Sequence, residues 1–264
     1  MFDVLSRLES AKEICRSASI EAVRYFHSVD GLKIDKKGAQ DWVSEADINV
    51  ERVIREKLQG QWPDDGIVGE EHAATSGISG FDWVIDPIDG TTNFIHGIPS
   101  WTIVLAGVAK GQTQIGVIYD PLIDEMFVAI RGGGATLNDA KIEAANGTTL
   151  DQGTIAVGYS NRVEAKNVLP VIEALIQRNA MFHRNASGAL SLAYVAAGRL
   201  LGYVEEHMNA WDCLAGQLLV QEAGGMIEDQ DANQMIATGG RVVVAGHTVF
   251  DEVQAIANGA WSTH

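Results

Sequence analysis

Asp86 and Asp89 stand three residues apart in WVIDPIDGTTNFIHGIP (residues 83–99), where an apolar run gives way to small polar residues. Pro87 has a fixed φ and no N–H, so it is expected to stop the strand that residues 81–85 begin and to leave Asp86 at its mouth. In an irregular turn beyond that point, both carboxylates and the Ile88 carbonyl between them can converge on one spot. Two carboxylates so close repel each other unless a cation joins them. An all-oxygen set suits Mg²⁺ or another hard divalent ion, which keeps some water and takes one or two carboxylates plus a substrate phosphate. Gly90, Thr91 and Thr92 then offer backbone N–H groups at the opening of a helix through Asn93 and Phe94, and such an opening binds phosphate. The pair of features points to metal-assisted attack of water on a phosphate ester. The plainer account makes both aspartates turn and cap residues, as most Asp beside Pro and Gly are. It does not explain why a phosphate cradle follows the carboxylates directly.

The elements that must hold this stretch can be read from periodicity. Leu5, Leu8, Ile14, Cys15, Ala18, Ala22 and Phe26 recur at helical spacing and predict an amphipathic helix over residues 3–28. Residues 29–41 carry Gly31, Gly38 and several lysines without apolar period, which predicts an exposed loop or loose hairpin. Ser44 caps a second helix whose inner face is Val50, Val53, Ile54 and Leu58, with Asp47 in its first turn, where the helix dipole favours a carboxylate. Residues 66–68 form a short strand ending in Gly69-Glu70-Glu71, and either glutamate fits a ligand position on spacing alone. Residues 101–110 and 113–120 read as a hairpin, continued by 125–130 and 135–137. Gly132-Gly133-Gly134 lacks the Lys-Ser/Thr that a nucleotide loop needs and reads as a turn. Beyond a polar boundary at 148–153, strand and helix alternate: a strand at 155–157, helices around 168–176 and 189–197, a strand at 200–205 ending in Glu205, a helix at 210–223 stopped by Gly224-Gly225, then a strand at 242–245 and a helix at 249–257. Asp212 falls in the first turn of its helix, again a dipole-favoured place. One unit with two lobes, about 1–150 and about 151–264, is expected.

DPIDGTTNF resembles the signature of the inositol monophosphatase family, a group of Mg²⁺-dependent, lithium-sensitive phosphatases. Gly69-Glu70-Glu71 upstream and Trp211-Asp212 through Glu222-Ala223-Gly224-Gly225 downstream match in the same order, so the resemblance spans nearly the whole chain. It implies a layered αβαβα sandwich, with the site between its lobes, assembled as a homodimer. It implies two or three Mg²⁺ ions: one held by Glu70, Asp86 and the Ile88 carbonyl, a second by Asp86, Asp89 and Asp212, and a weaker third near Glu70. Thr91 with Asp47, and Glu70 through water, would orient the nucleophile, and no covalent intermediate is implied. Gly90 and Thr91 would receive the phosphate, while Asp89, Ala189, Glu205 and Asp212 face the alcohol; Glu206 is the neighbour competing with Glu205. Lys36 matches a lysine on a loop near the metals, with Lys37 adjacent. Ser187 falls where many relatives have glycine, which leaves the alcohol open. Inositol monophosphate is the expected substrate, with fructose 1,6-bisphosphate, adenosine 3′,5′-bisphosphate or histidinol phosphate as related-branch alternatives. A non-catalytic metal-binding interaction protein is the rival from another class.

Composition narrows the surroundings of the site. The 264 residues are 46% hydrophobic, enough for a substantial core, and carry a formal charge of −16. Such a surface does not attract nucleic acid or anionic lipid, so an anionic substrate must meet locally supplied positive charge. The opening MFDVLSRLESAKEICRS has no apolar signal-peptide core and no later run reaches membrane-spanning length, so a cytoplasmic location is expected. Cys15 and Cys213 are the only cysteines and read as buried thiols, and none of the seven histidines has zinc-motif spacing.

Overall fold

Alternation along residues 81–89 sends Phe81, Trp83 and Ile85 into one apolar core and Val84 into another, so this strand must be covered on both faces. The computed structural model, which describes residues 3–38 and 41–261, shows what covers it. Helix α1 (Val4–Phe26) leads to a hairpin of β1 (Ile34–Gly38) and β2 (Asp41–Ser44), followed by α2 (Glu45–Gln61), β3 (Gly66–Gly69), β4 (Phe81–Asp89) and the short α3 (Thr91–Ile95). A meander of β5 (Thr102–Ala109), β6 (Gln112–Asp120), β7 (Glu125–Ile130), β8 (Gly134–Leu137) and β9 (Ala140–Lys141) follows. The remainder alternates through β10 (Thr154–Val157), α4 (Ala165–Gln177), β11 (Met181–His183), α5 (Gly188–Ala196), β12 (Gly202–Met208), α6 (Ala210–Glu222), β13 (Met226–Ile227), α7 (Ala232–Thr238), β14 (Gly240–Ala245) and α8 (Phe250–Trp261).

Strands β3 to β9 lie in sequence order in a seven-stranded sheet, antiparallel except for the β3–β4 pair. Besides the β1–β2 pair, a second large sheet has five strands in the order β11-β10-β12-β14-β13. Helices α1 and α2 cover the outer face of the first sheet, α5 and α6 lie between the sheets, and α4 and α8 cover the outer face of the second. That stack is the αβαβα sandwich. Three separate apolar cores fill it, one on the outer side of each sheet and one around α5 and α6 in the middle.

The structure corrects two boundaries and adds short elements. Pro87 does not end β4: the strand runs through it to Asp89, with a register shift between Asp86 and Asp89. A bulge tolerates the missing proline N–H, because the extra residue is unpaired anyway. Glu205 is likewise not the last residue of β12, which continues to Met208 past another shift between Glu205 and Met208. Strands β9, β11 and β13 and helix α7 have no counterpart in the sequence reading, being too short to show a period. The triple glycine is a turn, with the Gly132 and Gly134 N–H groups donating to the Glu222 carboxylate.

Candidate metal centre and substrate cleft

The bulge in β4 brings the motif together. Asp86 pairs with Val104 and Asp89 with Thr102, so three steps along β4 match two along β5. Val104 and Thr102 share a face of the sheet, and the two aspartates therefore share one too, although a regular strand would send residues three apart to opposite faces. Val84 and Val104 lie in the central core, which puts both carboxylates toward α5 and α6. Beyond the bulge Gly90 adopts φ +103°, a left-handed conformation that favours glycine, and opens α3.

Helix starts supply the next two carboxylates. In α2 the Ser44 N–H (2.8 Å) and hydroxyl (2.6 Å) donate to Asp47 Oδ2, while the Thr91 hydroxyl donates to Asp47 Oδ1 (3.1 Å). In α6 the Asn209 N–H donates to Asp212 Oδ2 (3.2 Å). Each aspartate thus completes a capping box and also faces the site. At both residues the capping bonds coexist with a place close enough to Asp86 for their charges to act on it.

Glu70, Asp86 and Asp212 each offer one oxygen, and the three lie within 4.8 Å of one another. Asp89 adjoins Asp212, but its own oxygens meet the start of α5: Oδ2 accepts from the Ser187 hydroxyl and the Ala189 N–H (2.9 Å), and Oδ1 from the Gly188 N–H (3.2 Å). The Ile88 carbonyl also lies within reach of the Thr91 hydroxyl (3.2 Å), whose one proton is shared between it and Asp47, and the Ile88 N–H donates to Asp86 Oδ1 (3.0 Å). Burial, reinforced by the Glu70, Asp89 and Asp212 charges, pushes the Asp86 carboxyl well above the ordinary carboxylate range. Burial pushes Asp89 up to about 7, with Asp212 adding to the effect, and burial raises Asp212 to about 6. Burial also raises Asp47, against the hydrogen bonds from Ser44 and Thr91. An oxygen-only set whose anionic forms are mutually disfavoured fits a hard divalent cation, which would remove that cost.

A cleft of about 150 Å³ opens beside the carboxylates, with Asp89, Asp212, Tyr203, Glu205, Arg162 and Arg184 in its wall. Its size suits a substrate smaller than a typical drug-sized ligand. Burial raises Glu205 to about 7, opposed by the Tyr203 hydroxyl donating to it and by the Arg162 and Arg184 charges. Glu206 instead accepts from Asn167 Nδ2 (2.9 Å), which separates it from Glu205. Glu70 rather than Glu71 joins the carboxylate triad. Ala189 meets Asp89 through its N–H. The Lys36 backbone pairs with Trp42 in the β1–β2 hairpin, but the side chains of Lys36 and Lys37 lie outside the described part of the structure.

Ser187 is one of the site residues whose role the sequence reading did not capture. Its φ of −132° makes no demand for glycine, and its hydroxyl holds Asp89. The position with a left-handed backbone is Ala186, at φ +59°. Tyr203, Arg162 and Arg184 carried no sequence signal, because they become neighbours only when β10, β11 and β12 lie side by side. Among the described residues no helix is long and apolar enough to cross a membrane.

Comparison with known proteins agrees with this fold. The model of the inositol monophosphatase family matches residues 4–260. An inositol-1-monophosphatase of Mesorhizobium japonicum is 39% identical over 246 residues, covering 92% of this chain and 91% of that protein. The protein named Nus factor SuhB in Pasteurella multocida is 37% identical over 251 residues, covering 93% of each. The crystal structure of the extragenic suppressor protein suhB from Bartonella henselae superposes with a TM-score of 0.90 at 31% identity, covering 96% of this chain and 98% of that one. With its motif carboxylates gathered on an αβαβα scaffold and a family match over almost its full length, this chain belongs to the inositol monophosphatase family.

Proposed function

We propose that this chain hydrolyses phosphate monoesters of small polyols in the presence of Mg²⁺, with myo-inositol monophosphate as its foremost substrate. The observation that carries the reading is the meeting of Glu70, Asp86 and Asp212 next to a small cleft walled by Asp89 and Glu205. Glu70, Asp86 and the Ile88 carbonyl would hold one ion, and Asp86, Asp89 and Asp212 a second, with a weaker third near Glu70. Bound cations would lower the pKa of a water and offset the charge that gathers on the departing oxygen.

The chain's own groups supply positioning and proton transfer. The Thr91 hydroxyl, already donating to Asp47 Oδ1, can accept a proton from a water on its open side and relay one to that carboxylate. The two Ser44 hydrogen bonds fix the other Asp47 oxygen, so the relay keeps its direction. First-turn N–H groups have no partner within a helix, which makes those of Gly90 and Thr91 available to phosphate oxygens. Glu205 and Asp212, on the cleft wall, orient the alcohol hydroxyls. No side-chain nucleophile takes part. Family membership also supports lithium sensitivity, a cytoplasmic location and a homodimer as parts of this reading.

A second reading is favoured by the relative named as a Nus factor: this chain could serve a protein assembly as well as, or instead of, turning over a phosphate ester. The deciding experiment is phosphate release with and without Mg²⁺ from inositol 1-phosphate, fructose 1,6-bisphosphate, adenosine 3′,5′-bisphosphate and histidinol phosphate. A Mg²⁺-dependent preference for inositol 1-phosphate is expected. Asp86→Asn should lose about a hundredfold or more of that turnover, because it weakens the hold on cations that offset transition-state charge, and losing one stabiliser of such charge costs on that scale. It should stay folded, because it relieves crowding among carboxylates. Turnover on none of the four esters would move the chain to the assembly reading.

A further inference from the structure

The inner face of α2 carries three ionisable residues at one-turn intervals, Asp47, Glu51 and Arg55, within the arc that Val50, Ile54 and Leu58 bury. Asp47 meets Thr91. The other two reach in a different direction. Glu51 is fully buried; its Oε1 accepts from Arg55 Nε (2.6 Å) and its Oε2 from the Glu71 N–H (2.7 Å). Arg55 then places two further donors on the same segment, Nη2 on the His72 carbonyl (3.2 Å) and Nη1 on the Thr75 hydroxyl (3.4 Å). The His72 ring nitrogen Nδ1 also lies 3.3 Å from Glu51 Oε1.

Gly69 shows how closely the two parts are fitted. A Cβ at that position would overlap the Glu51 carboxylate, so the backbone can approach only because no side chain intervenes. Glu70 therefore sits between a residue whose missing side chain admits Glu51 and a residue whose N–H is bonded to Glu51. One buried carboxylate pins its backbone from both sides. Nothing about stability alone requires an ion pair here, since a buried pair seldom outperforms apolar packing of similar volume. Its geometry matters more: a carboxylate accepting from two directions, and a planar guanidinium forked onto a carbonyl and a hydroxyl, hold one conformation of the turn.

We infer that Glu51 and Arg55 are positioning residues that set where Glu70 stands relative to Asp86 and Asp212, and so tune the affinity of the site for a divalent cation. The inference rests on Glu70 as a cation ligand. Because α2 also fixes Asp47, one helix registers both the Glu70 side and the Thr91 side of the site.

The test is calorimetric titration of MgCl₂ into the full-length chain without substrate, alongside the Mg²⁺ dependence of turnover and urea unfolding. Glu51→Gln keeps the shape and an acceptor for the Glu71 N–H, but loses the charge that holds Arg55. Its Mg²⁺ dissociation constant is expected to rise about tenfold or more, the scale for partners that orient a metal ligand. Turnover at saturating Mg²⁺ should recover, which a loss of folding alone would not produce. Arg55→Lys keeps the charge and loses the fork, and should give a smaller rise of the same kind; it decides the matter if Glu51→Gln does not fold. Glu70→Gln is run in parallel. If it weakens Mg²⁺ binding while the folded Glu51 or Arg55 variants bind like the parent, the inference is overturned and the ligand reading stands. If Glu70→Gln binds Mg²⁺ unchanged, the ligand reading fails and takes the inference with it.

Discussion

Two buried arginine–carboxylate pairs stand at opposite ends of β3, and they do different work. At the near end, Arg7 donates from Nε (2.8 Å) and Nη2 (2.7 Å) to Asp65, whose oxygens also accept from Trp83 Nε1 (3.1 Å) and the Ser79 hydroxyl (2.7 Å). The Arg7 guanidinium lies over the rings of Trp62 (4.2 Å) and Phe81 (4.7 Å). Asp65, Trp83, Ser79, Trp62 and Phe81 all belong to the scaffold. At the far end, four strand residues or roughly 13 Å away, Glu51 and Arg55 tie α2 to the turn that carries Glu70. Similar chemistry thus joins scaffold to scaffold in one place and scaffold to site in the other. On the inference above, what a buried ion pair holds decides whether its loss appears in stability or in ligand affinity.

The largest effect expected from this contrast is on stability. Arg7→Met leaves Asp65 buried without its charge partner, and breaking such a pair from one side costs about 3–5 kcal/mol. Urea unfolding should show that loss, while Mg²⁺ titration of the folded protein should match the parent. A weakened Mg²⁺ affinity in Arg7→Met would erase the distinction between the two pairs.

A pH series sharpens the same contrast at the carboxylate cluster. Asp89 stands at about 7 and Asp212 at about 6, both above the ordinary 3.8 and with burial as the main cause. Between 3.8 and these values the folded protein without cation binds more protons than the unfolded chain. Their contribution to stability is therefore complete below about 4 and is lost as pH rises through 6 to 7. With chelator present, these two groups should make the melting temperature decline from pH 5 to pH 8, against any rise contributed by other groups. Added Mg²⁺ should lessen the decline by favouring the anionic forms, and its affinity should weaken as pH falls below 7. Equal pH profiles with and without Mg²⁺ would detach the cation from these carboxylates.

The smallest effect lies outside both pairs. Ala186 holds φ +59°, where a Cβ is strained and glycine is not. Relieving that strain is worth about 1–2 kcal/mol, against about 0.4–1 kcal/mol for the freer unfolded chain, so Ala186→Gly should raise stability slightly in urea unfolding and leave Mg²⁺ binding unchanged if the Ser187–Asp89 contact persists. Glycine at 187 would give no such gain, because the backbone there is already extended.

Much of the fold was legible because its signals are local. The α1 period, the Ser44 cap, the β5–β6 hairpin and the glycines ending α6 each depend on a few adjacent residues, and each appears in the structure where those residues place it. Strand β11 and helix α7, of three and seven residues, were invisible, since such lengths carry less than a readable period. Pro87 misled for a related reason: a proline shows that a ladder hydrogen bond is missing, but not whether the strand ends or bulges there.

What the sequence by itself determined is the chemical inventory: a run of carboxylates, small residues that open helices, and apolar periods that commit each element to a face. These follow from residue type and short-range spacing, and no partner is needed to read them. The tertiary structure decided which oxygens meet. The β4 bulge is a relation between β4 and β5, and it alone turns Asp86 and Asp89 to one side. The start of α5 claims the oxygens of Asp89, while Glu70, Asp86 and Asp212 close into a triad. Glu51, from a helix earlier in the chain, accepts from the Glu71 N–H in the turn that carries Glu70. Strand register, burial and the mutual repulsion of charges are properties of pairs of elements, so they exist only once the chain has folded.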